Sequence, residues 1–247
     1  MKIRFMGTAA SEGIPGMFCA CDTCVRALKA GGRNIMTRSQ VLIDDGLAVD
    51  FGPDTYWHFL QAGRTLAGVR HVLVTHSHGD HIGFEDLSMR ADGFAYRKAA
   101  EKLTFYCGET VENLIRAQGP ASDRINSANL EKYYAFVRAE EYKPISIEGY
   151  TVTPFPARHA APPEKALLYL IEKDGKAYFH GNDTGVFEND GIAEYLGARG
   201  KKIDLLALDC TKGDMEHDYY THMSFSECRR VADSFIRYGA CGADTRL

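Results

Sequence analysis

The chain has 247 residues, 45% of them apolar and 25% charged, with a formal net charge of −4. That length suits one large α/β domain or two small ones with a sizeable buried core, and the mild negative charge argues against a duplex nucleic-acid binder, which carries a basic face. No stretch reaches the roughly 18 apolar residues of a membrane span, and Met1–Gly7 reads as a strand and not as a signal peptide, so the expected address is the cytoplasm.

Taken in chain order, short apolar runs predict strands at Ile3–Met6, Val41–Ile43, Leu47–Val49, Val72–Val74, Leu103–Tyr106, Val152–Pro156, Ala166–Ile171, Ala177–Phe179 and Leu205–Leu208. Between them, helix-like patterns cover Asp54–Gln61, Glu85–Arg90, Glu109–Gln118, Asn189–Leu196 and Ser224–Tyr238. Ser224 with Glu227 three residues on reads as a capping box for the last helix. Two hairpins are expected, one across Asp44-Asp45-Gly46 and one across Lys173-Asp174-Gly175-Lys176. Strands and helices intermix without strict alternation. The fold class is therefore α/β of the α+β kind, with mixed sheets, in a single domain over residues 1–247. The polar stretch around 91–142 reads as a helical insertion.

Two clusters carry the chemistry. Thr75-His76-Ser77-His78-Gly79-Asp80-His81 follows the strand at Val72–Val74 and gathers three imidazoles and a carboxylate. Neutral imidazole and carboxylate are the usual ligands of zinc and similar first-row metals. In an extended segment His76 and His78 face one side and suit one ion, while Asp80 and His81 at a turn suit a neighbouring one; Gly79 is read as the residue that lets the chain bend. The second cluster is Cys19-Ala20-Cys21-Asp22-Thr23-Cys24, three of the seven cysteines. Crowded thiols in a reducing compartment suggest metal ligation more than disulfides, and three can wrap one zinc given a fourth ligand. Cys107, Cys210, Cys228 and Cys241 are scattered and read as free thiols. His58, His71, His180 and His217 have no pattern behind them.

The H-x-H-x-D-H arrangement after an apolar strand resembles the signature of the metallo-β-lactamase superfamily. The resemblance implies a four-layer αββα sandwich with a two-metal site. It implies His76, His78 and His159 on one metal, Asp80 and His81 on the other, and Asp183 between them. His159 lies in Arg158-His159-Ala160 and Asp183 in Gly181-Asn182-Asp183-Thr184-Gly185, each after a predicted strand. The cofactors implied are two divalent ions, zinc or manganese, with one structural zinc at Cys19, Cys21 and Cys24. The cysteine stretch is similar to that of a subgroup containing the phosphodiesterase of the carbon–phosphorus lyase pathway, and to the pyrroloquinoline quinone biosynthesis protein.

Those relatives carry T-H-x-S-H near the C-terminus, which completes the second metal and the cysteine zinc. The given sequence reaches Gly242–Leu247 without it. Thr221-His222-Met223-Ser224-Phe225 is a partial look-alike with Phe225 where a histidine is needed. His222 instead matches the family's histidine after Asp209-Cys210-Thr211, beside the substrate. The implied reaction is attack of an activated water on phosphorus, with Asp80 and His222 in the catalytic set. Asp50 is expected to support the loop below the metals. The expected partners are a small anionic substrate and a second copy of the chain, with neither duplex nucleic acid nor membrane. The alternatives are hydrolysis of a lactone, thioester or β-lactam, and a non-catalytic binding protein of coenzyme biosynthesis.

Overall fold

A computed structural model describes residues 1–118, 125–187, 189–215 and 220–247. His217 and residues 119–124 of the stretch read as an insertion lie outside them. The chain divides into two compact units, Lys2–Arg138 and Ala139–Leu247, with Met1 counted with the latter.

The first unit is built on a six-stranded mixed sheet. Its strands are β1 (Ile3–Gly7), β2 (Gln40–Ile43), β3 (Leu47–Val49), β4 (His71–Leu73), β5 (Leu103–Cys107) and β6 (Tyr134–Arg138), in chain order across the sheet. β1, β2 and β3 pair antiparallel, and β3 to β6 run parallel. The β2–β3 hairpin turns through Asp44 and Asp45, both left-handed at φ 45° and 65°. β2 and β3 are buried along their whole length, as expected of apolar strands covered on both faces. Helices α1 (Asp22–Ala30), α2 (Thr55–Gln61), α3 (Glu109–Gln118) and α4 (Leu130–Tyr133) complete the unit. Val111 and Ile115, four residues apart on one side of α3, are buried in a core with Val72, Val74, Phe105 and Tyr134. Burying each such side chain stabilises the unit by roughly 1.5–3 kcal/mol.

The second unit carries a five-stranded mixed sheet in the order β11-β10-β9-β8-β7, formed by β7 (Ile145–Ile147), β8 (Tyr150–Pro156), β9 (Leu167–Lys173), β10 (Lys176–Gly181) and β11 (Leu205–Leu208). Lys173 pairs with Lys176 across Asp174 and Gly175, at φ 52° and 69°. Two left-handed residues in a two-residue loop match the twist of the flanking strands. α5 (Gly191–Ala198) and α6 (Phe225–Arg237) supply the helices. The capping box on α6 is formed: Ser224 N donates to Glu227 Oε2 at 2.8 Å. Phe155, Leu170, Phe179, Leu196 and Phe235 fill the core, with the Phe179 and Phe235 rings 5.3 Å apart.

Four of these elements were not foreseen individually: α1, α4, β6 and β7. Glu85–Arg90, read as helix-like, is a 3-10 helix. The stretch 91–142 supplies β5 and β6, adjacent strands at one edge of the first sheet, as well as helices. Among the described residues, no helix is long and apolar enough to cross a membrane.

Candidate metal centre

In the first unit, β4 delivers the histidine cluster at its C-terminal end. Val74 N donates to Tyr106 O at 2.9 Å, keeping the chain extended into the motif. His76 Nε2 and His78 Nδ1 then converge to 2.9 Å, with the rings edge to face. The chain turns as His81 N and Ile82 N donate to His78 O at 2.9 and 3.2 Å. His81 Nε2 reaches Asp80 Oδ2 at 3.3 Å. His76 and His81 are each 1% exposed.

The support behind this loop is polar and buried. Asp50, fully buried, receives Thr75 N at 2.8 Å, Thr75 Oγ1 at 3.0 Å and His81 Nδ1 at 2.7 Å. A carboxylate only accepts, so the His81 proton sits on Nδ1 and the lone pair is on Nε2, beside Asp80. An imidazole held from behind by a carboxylate is the usual outer layer of a metal ligand.

The bend itself is not due to Gly79. That residue has no positive φ, and a Cβ there would meet open space. The glycine the site requires is Gly52: a Cβ on it would lie 2.0 Å from Asp80 O. Phe51 N donates to His81 O at 2.8 Å and Gly83 N to Phe51 O at 2.6 Å. These bonds draw segment 51–52 against segment 80–83 so tightly that no side chain fits.

The second unit holds its own donor group. His159, Asp183 and His222 offer ligand atoms that all lie within 4.8 Å of one another. His159 Nδ1 donates to Thr221 O at 2.9 Å. Asp183 is left-handed, at φ 50°. His222 Nδ1 lies 2.7 Å from Asp209 Oδ2 and 3.7 Å from Asp183 Oδ1. Asp209, 5% exposed, also accepts from Thr211 N at 2.8 Å and Thr184 N at 3.2 Å. Its hydrogen bond raises the His222 pKa above the ordinary histidine value, against the opposing pull of burial.

At the N-terminal loop, the Cys19, Cys21 and Cys24 thiols also lie within 4.8 Å of one another. Gly16 N donates to Cys24 Sγ at 3.3 Å. The Cys24 backbone N–H, with help from the neighbouring thiols, draws Cys21 down to about 7. A thiol near neutrality is a ready metal ligand. Among the described residues this group contains three donors.

Sequence reasoning missed Asp209, Thr75, Thr184 and Gly52. A signal for Asp209 existed: like Asp50, it is an aspartate directly after an apolar strand, and the two do the same work in their separate units. The donors are imidazole nitrogen, carboxylate oxygen and cysteine sulfur, with the His81 and His222 rings each held by a buried aspartate. That chemistry fits divalent first-row metal ions.

A family model described as the β-lactamase superfamily domain matches residues 40–236, running through both units. A metal-dependent hydrolase of Thermococcus onnurineus is 29% identical over 142 residues, 56% of this chain and 52% of the relative. The chain spans about half the length of the curated relatives it matches. A crystal structure of a new diphosphatase from the PhnP family superposes with a TM-score of 0.70 at 20% identity, over 95% of this chain and 82% of that one. Zinc-bound PqqB from Methylobacterium extorquens does so with a TM-score of 0.63 at 20% identity, over 98% and 78%. At such identities these likenesses speak for the metallo-β-lactamase fold.

Proposed function

Since the chain belongs to the β-lactamase superfamily domain family, we propose that it is a metal-dependent hydrolase acting on small or cyclic phosphodiesters. One observation carries this reading. In each unit, imidazole and carboxylate donors converge while a buried aspartate, Asp50 or Asp209, fixes a histidine through its Nδ1 at 2.7 Å. The support for a phosphorus substrate is the likeness to the PhnP-family diphosphatase, and for metal dependence the relative named as a metal-dependent hydrolase.

In this reading His76, His78 and His159 hold one divalent ion and Asp80 and His81 the other, with Asp183 shared. The ions are zinc or manganese, and a third, structural zinc is held at Cys19, Cys21 and Cys24. When bound, the pair of ions lowers the pKa of a water and neutralises charge on the phosphoryl oxygens. The chain's own residues do the rest. Asp50 keeps His81 in the tautomer that presents Nε2. Asp209 holds a proton on His222 Nδ1, so Nε2 is the atom through which His222 exchanges a proton with the leaving oxygen. The water gives up one proton to solvent as its oxygen bonds to phosphorus, the bond to the leaving oxygen breaks, that oxygen takes a proton from His222 Nε2, and solvent restores the proton on His222.

The test is hydrolysis of a chromogenic nitrophenyl phosphodiester by the metal-free protein, by the protein reloaded with Mn²⁺ or Zn²⁺, and by a reloaded Asp80→Ala/His81→Ala variant. Turnover that needs metal and vanishes in the variant supports the reading. A folded, metal-loaded protein without turnover refutes it and directs the search to lactones, thioesters, β-lactams and a binding role in coenzyme biosynthesis.

A further inference from the structure

Asp50 is a non-glycine residue at φ 66°, a conformation disfavoured for most side chains. That backbone aims its carboxylate at Thr75 and His81. Something must hold it there. Asp50 N donates to Leu73 O at 2.7 Å, which fixes one side of the residue. On the other side, Asp50 O accepts from Gln40 Nε2 at 3.0 Å.

Gln40 is an odd occupant of its place. It opens β2 ahead of Val41, Leu42 and Ile43 and is 2% exposed. Its amide nitrogen also donates to Thr55 Oγ1 at 2.8 Å, so both amide hydrogens are used. Its Oε1 then faces His58 Nδ1 at 2.7 Å. That oxygen can only accept, so His58 carries its proton on Nδ1, and Nε2, 2.7 Å from Thr37 Oγ1, accepts from the threonine hydroxyl. His58 is 4% exposed, and burial pushes its pKa down, which keeps the ring neutral as this arrangement requires. The ring packs beside Gly7, where a Cβ would lie 2.9 Å from His58 Cε1. One assignment of hydrogens thus satisfies the chain of contacts from Thr37 through His58 and Gln40 to Asp50, Thr75 and His81.

We infer that Gln40 and His58 are positioning residues for the ligand loop: His58 orients the Gln40 amide, which clamps the left-handed backbone of Asp50 and so fixes His81. The inference rests on the metal-site reading above. An apolar side chain at 40 would fill the space as well, yet could not hold that carbonyl.

The test is cobalt(II) affinity measured by chelator competition well below the melting temperature, followed through the visible bands of cobalt on nitrogen and oxygen ligands. The proteins are wild type, Gln40→Leu, His58→Leu, His58→Asn and Ile115→Val. Gln40→Leu and His58→Leu are expected to weaken one ion by about tenfold, the scale of losses for outer-layer partners. His58→Asn, whose amide can replace Nδ1 as donor, stays close to wild type. Ile115→Val lowers the melting temperature without moving the affinity. Wild-type affinity in Gln40→Leu, or an equal loss in His58→Asn and His58→Leu, overturns the inference and leaves the hydrolase reading standing. A wild-type protein that binds no nitrogen- or oxygen-ligated cobalt overturns both.

Discussion

Gly52→Ala concentrates the structural argument in one methyl group. Its Cβ would lie 2.0 Å from Asp80 O and 2.9 Å from Asp80 C, where ordinary contact begins at 3.4 Å. The obstacle is backbone, which cannot rotate away as a side chain can. One of the two segments must therefore move by more than an ångström, and they are tied together by Phe51 N to His81 O and Gly83 N to Phe51 O. The displacement falls on Asp80 and His81. Overpacking of this kind costs about 1–3 kcal/mol, so the melting temperature should fall by roughly 2–12 °C. A shift near 1 Å in a catalytic group costs on the order of a hundredfold in rate. The assay is metal-dependent phosphodiester hydrolysis with a thermal melt, beside Gly79→Ala as control. Gly79 has open space around it and no positive φ, so the control should match wild type. If Gly52→Ala keeps wild-type activity, or Gly79→Ala loses as much, the account of what shapes this loop is refuted.

Other expectations follow from the same contacts. Asp50→Asn keeps a residue tolerant of the left-handed backbone but removes the anion 2.7 Å from His81 Nδ1, so metal affinity should fall about 10–100-fold in a folded protein; a chelator titration checks it. His222→Asn should slow hydrolysis far more with a poor alkoxide leaving group than with nitrophenolate, if the imidazole supplies the proton; an equal loss for both, with less bound metal, would make His222 a ligand, as its place with His159 and Asp183 allows. His58 is held below its ordinary pKa by burial, partly offset by Asp54. The unfolded chain then binds this proton more readily than the folded one. Its contribution is fully present above about pH 6.5 and is lost as pH falls from there towards the folded value. Thermal melts of wild type and His58→Asn between neutral and acidic pH should converge on the acid side.

The histidine cluster of the first unit was legible because its signal is local. His76, His78, Asp80 and His81 sit within one strand end and turn, where spacing alone fixes which rings share a side. His159, Asp183 and His222 are single residues, and only the resemblance to a family picked them out. Gly52 was invisible because its constraint is a contact with Asp80, 28 positions on in the sequence. His58 went without a role for the same reason: its partners Gln40 and Thr37 are 18 and 21 residues away. β6 was missed because Tyr134-Ala-Phe-Val-Arg138 follows α4 with no turn residue between them, so the change of period leaves no mark. β7 has three residues, too few to show alternation. In α1, Val25 and Leu28 are exposed while Cys24 and Ala27 are buried, which blurs the stripe a helix normally shows.

The most direct test of the central claim is anomalous diffraction from crystals loaded with manganese or zinc. The account predicts two neighbouring peaks, one on His76, His78 and His159 and one on Asp80 and His81, with Asp183 reaching both. A fully loaded crystal with no ion on the histidine cluster would contradict it.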